Sequence, residues 1–199
     1  MRRLHRLAYA VSHAGALVGG ALLLLAAVII GLDIFLRTLF ARSIGGADEL
    51  SGYALAIATA WGLSFALLHR AHIRIDSFYG LLPTWVRAAL DVLSLLAFIL
   101  FIGLITWRAW GVLSQSIASN ARSISALSTP LVVPQALWFA GFVFLMLVLL
   151  MLMAESLIAW TKGDHRALAR LIGSKAVAEE IQEEIQQTEP LSTKGGRPS

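Results

Sequence analysis

The chain has 199 residues, of which 58% are hydrophobic and only 14% charged, and its mean hydropathy is +0.76. Soluble domains carry about a quarter charged residues, so an integral membrane protein is expected, with room for one helical bundle and short connections but not for a further soluble domain. A formal charge of +4 would point a soluble chain toward nucleic acid; here the cations flank apolar runs and set orientation in a bilayer instead, and the absence of cysteine removes disulfides, thiolate metal sites and a Cys nucleophile.

Residues 1–13 carry Arg2, Arg3 and Arg6 and lead into an apolar run from Ala14 to Leu32. That run exceeds the 7 to 15 residues typical of a signal-peptide core, so it reads as a retained first transmembrane helix, at about 14–36. Gly15 and Gly19 have GxxxG spacing and Gly20 adds a third small residue. Close helix packing is open to them, but glycine is common in membrane helices, and composition alone is the plainer reading. Asp33 and Arg37, four apart, are expected to pair on one helix face near the interface.

After a connection containing Gly45 and Gly46, Asp48 and Glu49 open a second span, at about 49–68. Carboxylates in a first helical turn favour the partial positive charge of its unpaired N–H groups, and N-capping accounts for both as well as partner contacts do. The span crosses about 19 uncharged residues, matching the roughly 20 needed for the hydrocarbon core, and ends in His69, Arg70, His72, Arg74 and Asp76. His72 and Asp76 are expected to order the following turn through a local hydrogen bond. A metal site needs more ligands than this pair supplies.

Pro83 suits the start of a third span at about 84–107, which carries Arg87 and Asp91 four apart and is edged by Trp85, Trp107 and Trp110. From Arg108 to Pro134 polar and apolar residues alternate, so the third helix is expected to run on beyond the bilayer and a structured loop to return. Pro130 and Pro134 start a fourth span at about 131–160, with Glu155 near its far end. Residues 161–199 read as a cytoplasmic tail, an amphipathic helix followed by a disordered end. The expected fold is therefore all-α and membrane-embedded, four transmembrane helices with short loops. Arg2, Arg3, Arg6, Arg70, Arg74, Arg87 and the tail cations outnumber Arg37, Arg42, Arg108 and Arg122, which places both termini in the cytoplasm.

No HExxH, GxxxxGK[ST] or GxSxG pattern supports an enzyme, and no cofactor is expected. His5, His13, His69, His72 and His165 lie at span edges or outside, whereas a haem-binding bundle needs intramembrane His. A four-helix anchor of a redox enzyme is accordingly the lesser alternative. Ionisable groups gather near the span ends, so little remains at the midplane to bind a solute.

From about Leu32 to Glu155 the chain resembles the small membrane subunit, DctQ-type, of tripartite ATP-independent periplasmic (TRAP) transporters. The resemblance lies in an ordered set: Arg37 after the first span, Glu49 opening the second, Tyr53 one turn on, Gly62 deep in the helix, then His72, Ile73 and Asp76, and a Ser-rich stretch from Ser123 to Pro134 before the fourth span. The family often has a Trp near position 57, where this chain has Ile57; Trp61 is not its equivalent. The resemblance implies import of an organic acid, usually driven by sodium, by a complex in the bacterial inner membrane. Its partners would be a large permease, a periplasmic solute-binding protein and membrane lipids. Arg37, Arg42 and Arg122 would be available to dock the binding protein.

Overall fold

The computed structural model describes residues 2–69, 83–125 and 127–161. Within them lie α1 (Arg2–Phe40), α2 (Ala47–Leu68), α3 (Thr84–Ser119) and α4 (Val132–Thr161). All four are long and apolar enough to cross a membrane, and at about 1.5 Å per residue even α2, with 22 residues, covers a 30 Å hydrocarbon core. α1 continues beyond its apolar run at both ends. α3 runs twelve residues past Trp107, as the polar–apolar alternation there suggests.

The helices pack in the order α1, α2, α4, α3, each against the next. α1 shows how such packing is achieved in lipid. Its buried positions are Ala8, Ser12, Gly19, Ala26 and Asp33, at four- and seven-residue intervals, while Leu17, Leu24, Leu32 and Leu39 face outward. Lipid tails are as apolar as leucine, so burying Leu gains little, and small residues that let backbones approach hold the helices together. A Cβ on Gly19 would lie 2.9 Å from the Ala58 Cα, and one on Gly15 would lie 2.8 Å from Trp61 Cε3. The GxxxG pair is thus used, against the compositional reading; a Cβ on Gly20 would meet none of the described residues within 4 Å.

On the other side of α2, Gly141 of α4 brings the backbones together, since a Cβ there would lie 2.8 Å from that of Ala60. Trp61 spans the crossing: its indole Nε1 donates to the Leu137 carbonyl at 3.0 Å and its ring stacks on Phe144. α4 is the most enclosed of the four. Phe142, Leu145, Leu149, Leu152 and Ser156 are buried along it at alternating three- and four-residue spacing, the seam of knobs-into-holes packing.

The two described connections lie at one end of the row. Residues 41–46 join α1 to α2, residues 120–131 join α3 to α4, and Leu127 of the second sits on Gly46 of the first. At the opposite end, the Tyr9 hydroxyl donates to the Leu68 carbonyl at 2.8 Å and His5 meets Glu155.

Candidate functional site

The end bearing the connections concentrates the polar chemistry, and two carboxylates organise it. Asp33 is buried on the last turns of α1. Its Oδ2 accepts from Arg37 Nη2 at 2.6 Å, and its Oδ1 accepts from Ser43 Oγ and from the Ile44 backbone N–H, each at 2.7 Å. Ser43 Oγ in turn accepts from the Gly45 N–H at 3.3 Å. One side chain therefore holds the helix end and the returning loop together, as the Asp33–Arg37 spacing suggests and with more partners than the spacing reveals.

Gly46 stands at the N-cap of α2 with φ 87°, and no side chain caps the helix. The left-handed conformation favours glycine, and a Cβ there would collide with Leu127. This corrects the capping expectation for Asp48 and Glu49. Both remain in the first turn, where the helix dipole favours them, but the Glu49 carboxylate faces outward from α2 toward the other connection. Glu49 Oε1 accepts from the Tyr53 hydroxyl at 2.6 Å, and Oε2 accepts from Ser125 Oγ.

The loop carrying Ser125 is itself ordered by backbone bonds. α3 ends with Asn120 left-handed, and Ala121 N–H donates to the Ser116 carbonyl at 3.0 Å, a terminus that Asn tolerates better than branched residues. Arg122 and Pro130 form an antiparallel bridge, flanked by Ser123 N–H to Thr129 O at 2.9 Å and Leu131 N–H to Ala121 O at 3.0 Å. Ser125 Oγ accepts from the Leu127 N–H at 3.2 Å. This hydroxyl thus links the hairpin turn to Glu49. Pro134 is buried in the first turn of α4, where its missing N–H costs no helical bond.

The three arginines named for docking share this end with unequal freedom. Arg37 is engaged by Asp33 although its side chain is 61% exposed. Arg122 Nη1 donates to the Ser128 carbonyl at 3.2 Å. Arg42 is exposed, and among the described residues only its backbone N–H is used, on the Leu36 carbonyl. Gly62 lies away from all of this: among the described residues nothing comes within 4 Å of a Cβ built there, so none of them demands a glycine. His72, Ile73 and Asp76, with Arg70 and Arg74, fall outside the described residues, as does the tail after Thr161. Asp91 is buried; the side chain of Arg87 is not among those described.

At the far end, His5 Nε2 lies 2.6 and 2.7 Å from the two oxygens of Glu155, joining the first turns of α1 to the last of α4. His69 Nδ1 is 3.0 Å from the Phe65 carbonyl, and its ring stacks on Phe65. Among the described residues no three His, Asp or Glu side chains gather as a metal site. Asp33, Glu49 and Glu155 are all engaged by this chain's own donors, an arrangement that fixes helix ends and loops. The spacing of motifs could not supply Ser43, Ser125, Tyr9 and His5 as partners. The available signal was chemical: a serine hydroxyl in a chain this apolar needs an acceptor, and Glu49 is one of few.

The family described as tripartite ATP-independent periplasmic transporters, DctQ component, matches residues 26–159. The chain belongs to this family. No curated protein and no solved structure matches it. The matched segment takes in Asp33, Glu49 and both connections, so the polar end just described is the DctQ component's own; His5 and Tyr9 precede it. The chain is a multi-pass membrane protein and the small subunit of a TRAP transporter.

Proposed function

We propose that this DctQ component is the fixed scaffold of a sodium-coupled importer of an organic acid in the bacterial inner membrane, bound to a large permease and served by a periplasmic solute-binding protein. The observation that supports a scaffold is the engagement of Asp33, Glu49 and Glu155 by donors of the same chain at the ends of the helix row. Groups so held brace connections and leave transport chemistry to the permease. Both termini face the cytoplasm in this reading, because Arg2, Arg3 and Arg6 oppose the end bearing the two connections. The paired connections then form a periplasmic platform. Arg42 is its freest cation, and Arg37 and Arg122 add positive charge for acidic residues of the binding protein.

Co-purification tests the reading. Tagged chain co-expressed with the large permease of its transporter should retain that polytopic protein through detergent extraction. Recovery of the chain alone, with the permease expressed and folded in the same membranes, contradicts it. Docking is tested on that complex: Arg42→Ala and Arg122→Ala should weaken binding-protein affinity, more at low salt than at high.

A further inference from the structure

The outward face of α1 is too long for the bilayer it crosses. Exposed apolar residues run along it from Leu4 to Leu39, a length of about 52 Å at 1.5 Å per residue. A 30 Å hydrocarbon core crossed at a tilt of 40°, the upper end of the usual range, covers about 39 Å of helix. Part of the apolar face therefore lies at headgroup level. At the N-terminal end it comprises Leu4, Leu7 and Val11, all exposed, beside Arg3 and Arg6, also exposed.

The rotation of this segment is fixed. His5 is tied to Glu155, Tyr9 to the Leu68 carbonyl, and Ser12 is completely buried. With those residues turned inward, helical geometry places Arg6, Arg3, Leu7, Val11 and Leu4 in sequence around the outward arc. Cations occupy one edge and aliphatic side chains the other. Among the described residues neither Arg3 nor Arg6 has an ion-pair partner, and the first acidic residue in the chain is Asp33.

We infer that the first three turns of α1 are a binding site for anionic phospholipid. Arg3 and Arg6 take the headgroup phosphate, and Leu4, Leu7 and Val11 lie against the glycerol esters and the adjoining start of the acyl chains. Two cations beside three aliphatic residues match an anionic amphiphile in both charge and apolarity; a free anion would leave the aliphatic edge uncovered. The preference per arginine near an anionic surface corresponds to about fivefold in binding. The site depends only on residence in a membrane, so it stands or falls separately from the transport reading.

The experiment is lipid binding to the full-length chain, delipidated in detergent, followed by native mass spectrometry and by thermal unfolding. Phosphatidylglycerol should be retained over phosphatidylcholine by roughly fivefold or more and should raise the unfolding temperature. Arg3→Gln with Arg6→Gln should bring that ratio close to one, whereas Arg3→Lys with Arg6→Lys should keep most of it. Leu7→Ser should weaken retention of both lipids. Equal retention of the two lipids by the wild-type chain, an undiminished preference in the glutamine variant, or the same stabilisation by inorganic phosphate alone would overturn the site. A photoreactive side chain at position 7 in the assembled complex should label lipid. Labelling of the permease there would show that protein, not lipid, covers this face.

Discussion

The α1–α2 and α3–α4 connections are each closed by a carboxylate, but over very different distances along the chain. Asp33 draws all its partners from the next eleven residues: Arg37, Ser43 and Ile44. Glu49 takes one local partner, Tyr53, and its others from the distant hairpin, Ser125 foremost, 76 residues away, with Ser123 and Thr129 beside it. The polar ties of the first connection are thus all local, although Leu127 of the second packs on its last residue, Gly46. The second is completed only when α4 has docked on α2 and carried its hairpin over the start of that helix. A local clamp stabilises an element; a long-range one reports that the whole row has assembled.

The comparison breaks most severely if the helix crossing beneath both connections is opened. Gly19→Leu forces a side chain into the Ala58 backbone and should destabilise the chain by about 3 kcal/mol, the upper end of overpacking costs. Gly62→Leu, a larger residue in open space on the same crossing's outer side, should change stability by less than about 0.5 kcal/mol. Thermal unfolding in one detergent measures both, and equal losses would disprove the assigned faces.

The two connections should then separate. Ser125→Ala removes the principal donor that crosses to Glu49 and should cost about 1 kcal/mol, with faster backbone hydrogen exchange at residues 121–131 and unchanged exchange at residues 41–46. Asp33→Asn should do the converse, loosening residues 41–46 and leaving the hairpin protected. If either substitution loosened both stretches alike, the connections would form one unit and the contrast would be lost. Arg37→Gln should have the smallest effect, below about 1 kcal/mol, because its side chain is 61% exposed and water replaces much of what it gives Asp33.

The same distinction governs what can be read without coordinates. Four long apolar runs announce four helices, and the four-residue spacings of Asp33 with Arg37 and Glu49 with Tyr53 place each pair on one helix face. Partners such as Ser125 for Glu49, or Glu155 for His5 across 150 residues, depend on which helices pack together. Apolar periodicity carries little of that information in lipid, where the outside of a helix is as apolar as its inside. Glycines show the difficulty plainly: Gly19 and Gly62 are equivalent in a sequence, yet one is pressed on Ala58 and the other faces outward. The capping expectation for Asp48 and Glu49 failed for a related reason, since the N-cap is Gly46, left-handed and lying under Leu127 of the distant hairpin.

The central claim is that this chain braces a transporter whose solute chemistry lies elsewhere, and solute uptake tests it most directly. Proteoliposomes holding the permease, with binding protein and labelled organic acid supplied outside, should accumulate the acid on an inward sodium gradient when this chain is present, and lose most of that uptake when it is omitted. Full sodium-driven uptake by the permease and binding protein without this chain would contradict the account.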